Sequence, residues 1–121
     1  MARILLVDDE PEITAAWKQV LEADSHSVTV EHGGHLAIER LTESLYDLLI
    51  LDIYMAEGDG LEVLNWLMDY KYELKVIVIS GCGNCGVSYL DAAKFLGAQK
   101  TLSKPVKMTQ LLETVNELLY A

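Results

Sequence analysis

The hydrophobic positions of this chain form two kinds of segment that alternate along the sequence. Short runs of consecutive apolar residues, such as Leu48 to Leu51, are typical of strands buried on both faces. Between these runs, apolar residues recur every three or four positions, as at Ile13, Trp17 and Leu21, which is the spacing of an amphipathic helix. The pattern therefore predicts a strand followed by a helix, five times over.

Turn signals such as Gly33, Gly97 and Pro11 bound these segments. The strands are predicted at residues 3–7, 28–30, about 47–52, 75–80 and 98–102. The helices are predicted at residues 11 to about 24, 33–45, 61–70, around 89–96, and in a last segment opened by Ser103, Lys104 and Pro105.

Strands and helices that alternate at these lengths predict a parallel sheet with helices on both faces. Right-handed crossovers restrict the topology, and the order 2-1-3-4-5 is the commonest for five strands. We therefore predict an α/β fold, a doubly wound five-stranded parallel sheet of the flavodoxin-like type. The 121 residues are enough for one domain with its own core, and we expect a single domain over residues 1–121.

Polar residues follow the apolar runs at the carboxyl ends of the predicted strands. In the order 2-1-3-4-5 these ends place Asp8, Asp9, Asp52, Ser80 and Lys104 along one edge of the sheet. Carboxylates that lie this close repel one another unless a cation binds or some pKa values rise. Magnesium, which prefers oxygen ligands, is the cation we expect, and the set suits phosphoryl transfer. Lys104 begins roughly 10 Å from Asp52, a gap that its long side chain can largely cover.

Composition narrows the classes of function. The net charge of −10 and the scattered basic residues disfavour direct binding of nucleic acid. No apolar run approaches a membrane span and no signal peptide is visible, so we expect a cytoplasmic protein with no membrane partner. Cys82 and Cys85 are too few for a disulfide framework. Their C-x-x-C spacing is interpreted as coincidence, with a thiol switch as the alternative.

The histidines and tryptophans carry weaker signals. His26, His32 and His35 lie around the second predicted strand and helix and are interpreted as surface residues. Trp17 and Trp66 fall at helical spacing with other apolar residues. We therefore expect both tryptophans to contribute to packing rather than to a ligand site.

Five short motifs occur in a fixed order over the whole chain. They are Val7-Asp8-Asp9-Glu10-Pro11, Leu51-Asp52-Ile53-Tyr54-Met55 with Asp59-Gly60, Ile79-Ser80-Gly81, Gly97-Ala98 and Leu102-Ser103-Lys104-Pro105. Together, in this order and at these spacings, they resemble the receiver domain of bacterial two-component response regulators. The resemblance implies a signalling domain rather than an enzyme, one that assists its own phosphorylation and dephosphorylation.

The resemblance also implies roles for the residues at the sheet edge. Asp52 is similar to the phosphoacceptor, which takes a phosphoryl group from a phosphohistidine on a sensor histidine kinase or phosphotransfer protein. Asp9 resembles the acid that ligates Mg²⁺ directly, together with Asp52 and the backbone carbonyl of Tyr54. Asp8 resembles the acid that acts on the ion through water.

Two further residues complete the implied site. Ser80 corresponds to the hydroxyl that bonds a phosphoryl oxygen. Lys104 corresponds to the lysine that pairs with the phosphoryl charge, or with Asp52 when that residue is unmodified. The Lys104-Pro105 peptide is expected to be cis on the resemblance alone.

Four positions depart from the family pattern. Ala56 replaces a common proline, which leaves the loop after Asp52 less constrained. Thr101 replaces the aromatic switch residue that the family has three positions before Lys104, so signalling through a coupled hydroxyl and aromatic ring is in question. Tyr54 and Cys82 occupy positions that in this family tune the rates of phosphorylation and hydrolysis.

The resemblance places the output surface on the predicted fourth helix, fifth strand and fifth helix. Its implied partner is a downstream protein or effector domain, and it allows a homodimer that forms on phosphorylation. No effector domain follows the fifth helix in this chain, so we expect a single-domain regulator or an excised receiver.

Two alternatives remain open from the sequence. The first is a binding module with a receiver fold that acts independently of phosphorylation, which Thr101 slightly favours. The second is a magnesium-dependent phosphatase that forms an aspartyl phosphate on Asp52. Such an enzyme would normally carry a second acid at the position of Tyr54.

A bulky Tyr54 should shield an acyl phosphate on Asp52 from water, so we expect slow autodephosphorylation. The variant Tyr54→Ala should lose its phosphoryl group faster than the wild type when hydrolysis is followed by intact mass. Faster hydrolysis in the wild type than in this variant would refute the shielding.

Overall fold

The computed structural model describes residues 2–53, 60–70, 74–80 and 98–120. Its strands are β1 (Arg3–Val7), β2 (Ser27–Glu31), β3 (Leu48–Asp52), β4 (Lys75–Ser80) and β5 (Lys100–Ser103). Its helices are α1 (Pro11–Ala23), α2 (Gly34–Glu43), α3 (Gly60–Tyr70) and the C-terminal helix (Met108–Tyr120). The fourth helix predicted around residues 89–96 lies outside the described residues, as do Tyr54, Ala56, Cys82 and Cys85.

The strands form one parallel sheet in the order β2-β1-β3-β4-β5, which confirms the predicted doubly wound, flavodoxin-like fold. In the register of this sheet, Val7 is opposite Leu51, and Ser80 is opposite Ser103. The central strand β3 is buried along its whole length, as expected for a strand covered by helices on both faces.

Side-chain alternation along the strands divides the core into two layers. On one face, residues such as Leu6 and Ile50 pack against α1 and the C-terminal helix, whose buried side chains include Trp17, Leu21, Leu111 and Val115. On the other face, residues such as Leu49 and Leu51 pack against α2 and α3 through Ala37, Leu41, Val63, Leu64 and Leu67. The predicted roles of Trp17 and Trp66 in packing are confirmed, since Trp17 is buried and Trp66 packs against the second layer.

The predicted start of the C-terminal helix is wrong, whereas the predicted start of α1 at Pro11 is confirmed. The C-terminal helix begins at Met108 rather than at Ser103 to Pro105, and an early helical hydrogen bond runs from Leu111 N–H to the Lys107 carbonyl. The proline signal therefore precedes the helix instead of lying in its first turn. At the start of α1, Glu10 occupies the N-cap position but makes no side-chain capping bond.

The prediction that all three histidines lie on the surface is wrong for His26. This residue is 4% exposed, and its Nδ1 accepts a hydrogen bond of 3.2 Å from the Ala2 N–H. His26 follows Ser25, whose positive φ of 71° belongs to the turn that ends α1 and leads into β2. His32 and His35 are exposed.

Within the described residues, no helix is long and apolar enough to cross a membrane.

Candidate functional site

The carboxyl edge of the sheet is fixed by backbone hydrogen bonds that continue beyond the strand ends. The Asp8 N–H donates to the Glu31 carbonyl at 3.2 Å, and the Ile53 N–H donates to the Ile79 carbonyl at 3.0 Å. The Lys104 N–H donates to the Ser80 carbonyl at 2.8 Å. The polar residues at this edge are therefore anchored to the rigid sheet even where they lie just outside a strand.

Three of the predicted site residues share one face of the sheet. Side chains along a strand alternate between the two faces of a sheet. The residues two positions before Asp8, Asp52 and Lys104 pack against α1 and the C-terminal helix, so these three side chains are assigned to the same face. Ser80 has the opposite parity in β4, which alternation assigns to the face of α2 and α3. Asp8, Asp52 and Ser80 are buried, at 0%, 3% and 3% exposed respectively.

The Lys104 ammonium group joins three acids at this edge. Its Nζ lies 3.0 Å from Asp8 Oδ2, 3.2 Å from Asp52 Oδ2 and 3.0 Å from Glu10 Oε1. The Lys104 side chain is 15% exposed, so most of its length is removed from water. The structure thus brings together Asp8, Asp52 and Lys104, as the sequence predicted, and adds Glu10.

The pKa of Lys104 reflects two opposing effects. Burial lowers the pKa, because removing an ammonium from water disfavours its charged form. Contacts with Glu10, Asp8 and Asp52 raise it, and they outweigh burial, so the pKa of Lys104 is raised above its ordinary value. Lys104 therefore stays positively charged at neutral pH and offsets part of the negative charge around it.

Negative charge remains in excess at this edge. Carboxylate oxygens of Asp8, Asp9 and Glu10 lie within 4.8 Å of one another. Asp52 is a fourth acid at this edge, since it contacts the Lys104 ammonium group. Within the described residues, Asp8 Oδ2 forms the ion pair with Lys104 but makes no hydrogen bond. Hard oxygen donors with this surplus charge fit a divalent cation such as Mg²⁺. The carbonyl of Tyr54, a predicted ligand, lies outside the described residues.

Two residues at the site were missed by the sequence reasoning. Glu10 was given no role at the site, although it follows Asp8 and Asp9 in the first motif. His32 Nδ1 lies 2.8 Å from the Asp8 carbonyl oxygen, and ties the end of β1 to the segment after β2. The sequence did contain a signal for Glu10, because it is a third consecutive acid in a loop predicted to lie at the same sheet edge as a lysine. The sequence carried no comparable signal for His32.

Gly60 brings α3 against the end of β3. Its N–H donates to the Ile53 carbonyl at 3.1 Å. A Cβ at this position would lie 2.5 Å from the Ile53 Cα and 2.9 Å from the Asp52 carbonyl oxygen. Only a glycine allows the first turn of α3 to approach the backbone of Asp52 this closely.

The fold and this edge define a class of protein, a doubly wound α/β domain with an acidic site at the carboxyl ends of its strands. Residues 4–116 match the response regulator receiver domain family. The chain belongs to this family, and it is a receiver domain of the two-component signalling type.

Individual relatives agree with this assignment. The transcriptional regulatory protein CpxR of Escherichia coli (strain K12) is 35% identical over 121 residues, covering 98% of this chain and 50% of CpxR. The response regulator MprA of Mycobacterium avium (strain 104) is 32% identical over 119 residues, covering 97% of this chain and 50% of MprA. The chain thus spans about half the length of these curated relatives.

Solved structures show the same fold. The response regulator TrrA from Thermotoga maritima, crystallised in complex with Mg²⁺ and BeF, superimposes with a TM-score of 0.85 at 31% identity. That similarity covers 98% of this chain and 100% of TrrA. A CheY-like receiver domain protein from Methanospirillum hungatei JF-1 has a TM-score of 0.88 at 26% identity. That similarity covers 97% of this chain and 92% of the Methanospirillum chain.

The variant Gly60→Ala should destabilise the domain, because the added methyl group would overlap the backbone of Ile53 and Asp52. We expect a loss of about 1–3 kcal/mol in the free energy of unfolding, the usual cost of overpacking. Urea denaturation followed by circular dichroism measures this loss. Asn65→Ala, at an exposed position of the same helix, is the control and should change stability little. Equal stability of Gly60→Ala and the wild type would contradict the close approach.

Proposed function

We propose that this chain is a phosphorylation-dependent switch in which Asp52 accepts a phosphoryl group from a phosphohistidine. The observation that carries the proposal is the contact of Lys104 Nζ with Asp52 Oδ2 at 3.2 Å, beside the buried Asp8. It supports an arrangement in which a buried carboxylate is the nucleophile and a fixed ammonium group lies ready to pair with the transferred group. The donor would be a sensor histidine kinase or a phosphotransfer protein.

In the proposed reaction, a carboxylate oxygen of Asp52 attacks the phosphorus of the phosphohistidine. The new O–P bond makes an acyl phosphate, and the P–N bond breaks with its electron pair returning to the histidine nitrogen, which takes up a proton. Transfer removes the negative charge of the Asp52 carboxylate and attaches a phosphoryl group that brings about two negative charges of its own. The Lys104 ammonium should follow this charge away from the carboxylate oxygen that it contacts at 3.2 Å.

Asp8, Asp9 and Asp52, with the carbonyl of Tyr54, are the residues that we propose hold Mg²⁺. When bound, this ion would neutralise negative charge on the acids and on the transferred phosphoryl group. The close approach of carboxylates in the first loop supports this assignment, since their mutual repulsion favours cation binding. Burial of Asp8 limits competition from water for at least one of these acids.

Ser80 is the residue that we propose binds a phosphoryl oxygen and reports its presence. Its position at the buried end of β4, one residue after Ile79, which is the register partner of Asp52 in β3, supports this role. A shift at Ser80 would pass to β5, because the Ser80 carbonyl accepts the Lys104 N–H. The output surface would then be the predicted fourth helix, β5 and the C-terminal helix.

The partners of the switch are also proposals. CpxR is named as a transcriptional regulatory protein, and it is about twice the length of this chain. By analogy, the receiver formed by residues 1–121 would control a downstream protein or an effector domain, and phosphorylation could drive homodimer formation. No direct contact of the receiver with nucleic acid is proposed, because its net charge of −10 would be repelled by phosphate backbones.

A second candidate function is a binding module that works independently of phosphorylation. The observation that favours it is Thr101, a half-buried residue of β5 opposite Val78, in place of the family's aromatic switch residue. A small side chain there cannot report the state of Ser80 by a large ring movement. The two candidates differ in whether Asp52 is modified at all.

Intact mass spectrometry after incubation with acetyl phosphate distinguishes them. The wild type should gain one phosphoryl group when magnesium is present, and removal of magnesium with a chelator should abolish the gain. Asp52→Asn should gain nothing, because an amide cannot form the acyl phosphate. Asp69→Asn, which removes an exposed acid on α3, is the matched control and should behave like the wild type.

The added group should be released by hydroxylamine, which cleaves acyl phosphates. Equal phosphorylation of the wild type and Asp52→Asn would contradict Asp52 as the acceptor. Absence of any gain in the wild type, together with no effect of magnesium on its melting temperature, would favour the phosphorylation-independent binding module.

A further inference from the structure

Glu10 has no assigned part in the proposed reaction, yet it is one of the three acids that contact Lys104. Its Oε1 lies 3.0 Å from Lys104 Nζ, and this contact meets the geometry of a hydrogen bond. The contact from the same Nζ to Asp52 is slightly longer, at 3.2 Å. Lys104 is therefore shared between the proposed acceptor and a residue that is not an acceptor.

The backbone of Glu10 is fixed at the start of α1. Its N–H donates to Asp8 Oδ1 at 2.9 Å, and its carbonyl accepts the Thr14 N–H at 3.1 Å. The side chain of Glu10 is 54% exposed, but its partner Lys104 is only 15% exposed. Ion pairs between two exposed side chains contribute little, whereas this pair includes a largely buried lysine side chain whose ammonium group also contacts two buried carboxylates.

We propose that Glu10 is a positioning residue that restrains Lys104 in the unphosphorylated protein and thereby slows phosphorylation of Asp52. The inference rests on the proposed function, since it concerns the same lysine and the same acceptor. A phosphoryl group on Asp52 must draw Lys104 away from Glu10. The carboxylate of Glu10 thus competes with the phosphoryl oxygens for one ammonium group.

Glu10 also acts on the incoming donor through its charge. Its carboxylate lies within 4.8 Å of ligand atoms of Asp8 and Asp9, in a region where acids already outnumber the lysine. An anionic phosphoryl donor is repelled by each of these carboxylates. Removing the charge of Glu10 lowers this repulsion and also releases Lys104. Both effects should make phosphorylation of Asp52 faster.

The test compares Glu10→Gln with Glu12→Gln at saturating magnesium, using acetyl phosphate and intact mass. Glu10→Gln should be phosphorylated about 3–10-fold faster than the wild type, an order-of-magnitude expectation for one modulated ion pair near a reacting anion. Glu12 is an exposed acid in the first turn of α1, and its variant removes the same charge. Glu12→Gln should react at nearly the wild-type rate.

A second readout separates restraint of Lys104 from a general effect of charge. The protein is treated with an amine-reactive ester in the absence of donor and magnesium, and modification of Lys104 is measured by peptide mass spectrometry. Lys104 should react faster in Glu10→Gln than in the wild type, because one of its three carboxylate partners is gone. Its reactivity should be unchanged in Glu12→Gln.

Faster phosphorylation together with a more reactive Lys104 in Glu10→Gln alone supports the inference. An unchanged phosphorylation rate, an equal gain in both variants, or an unchanged reactivity of Lys104 would overturn it. Failure of the proposed function would give a different result. The wild type itself would then take up no phosphoryl group, and the role inferred for Glu10 would also be refuted.

Discussion

The excess of negative charge at the carboxyl edge of the sheet is the constraint on which the site depends. Asp8, Asp9, Glu10 and Asp52 meet there, and Lys104 is the ammonium group that contacts three of them. Burying carboxylates costs free energy unless they are paired. The site therefore favours a bound cation, and the proposed phosphorylation of Asp52 would change the balance of charge around Lys104.

The sheet holds these charged residues close together. Backbone hydrogen bonds from Asp8, Ile53 and Lys104 extend the ladder beyond the strands, so the main chain at this edge is held in place. Gly60 adds a close contact of α3 with the backbone of Asp52. Because the sheet holds these backbones in place, repulsion is relieved by a cation, by Lys104, by proton uptake or by a change of charge on Asp52.

Much of this arrangement could be predicted from the sequence. The buried run that ends at Asp52 and the alternation of strands and helices define the sheet, and the sheet order brings Asp8, Ser80 and Lys104 to the same edge. These predictions succeed because they depend on the backbone period and on burial, which the order of apolar residues records directly. The predicted start of the C-terminal helix was wrong, because a proline near a helix does not by itself determine where the first turn lies.

Side-chain partners were harder to predict. Glu10 and Lys104 are 94 residues apart, and their contact depends on the conformations of two long, flexible side chains. The contact of His32 with the Asp8 carbonyl likewise depends on how two loops meet. His26 follows the turn at Ser25 and is buried where its Nδ1 accepts the Ala2 N–H. None of these features leaves a periodic signal in the sequence.

A crystal structure of this chain with Mg²⁺ and beryllofluoride, a phosphoryl analogue, would show whether Lys104 moves from Glu10 to the group on Asp52. We expect beryllofluoride attached to Asp52, with Lys104 Nζ within hydrogen-bonding distance of a fluorine atom and no longer in contact with Glu10 Oε1. A structure with beryllofluoride on Asp52 and Lys104 still paired with Glu10 would contradict this proposed movement, because the lysine would then not follow the phosphoryl charge.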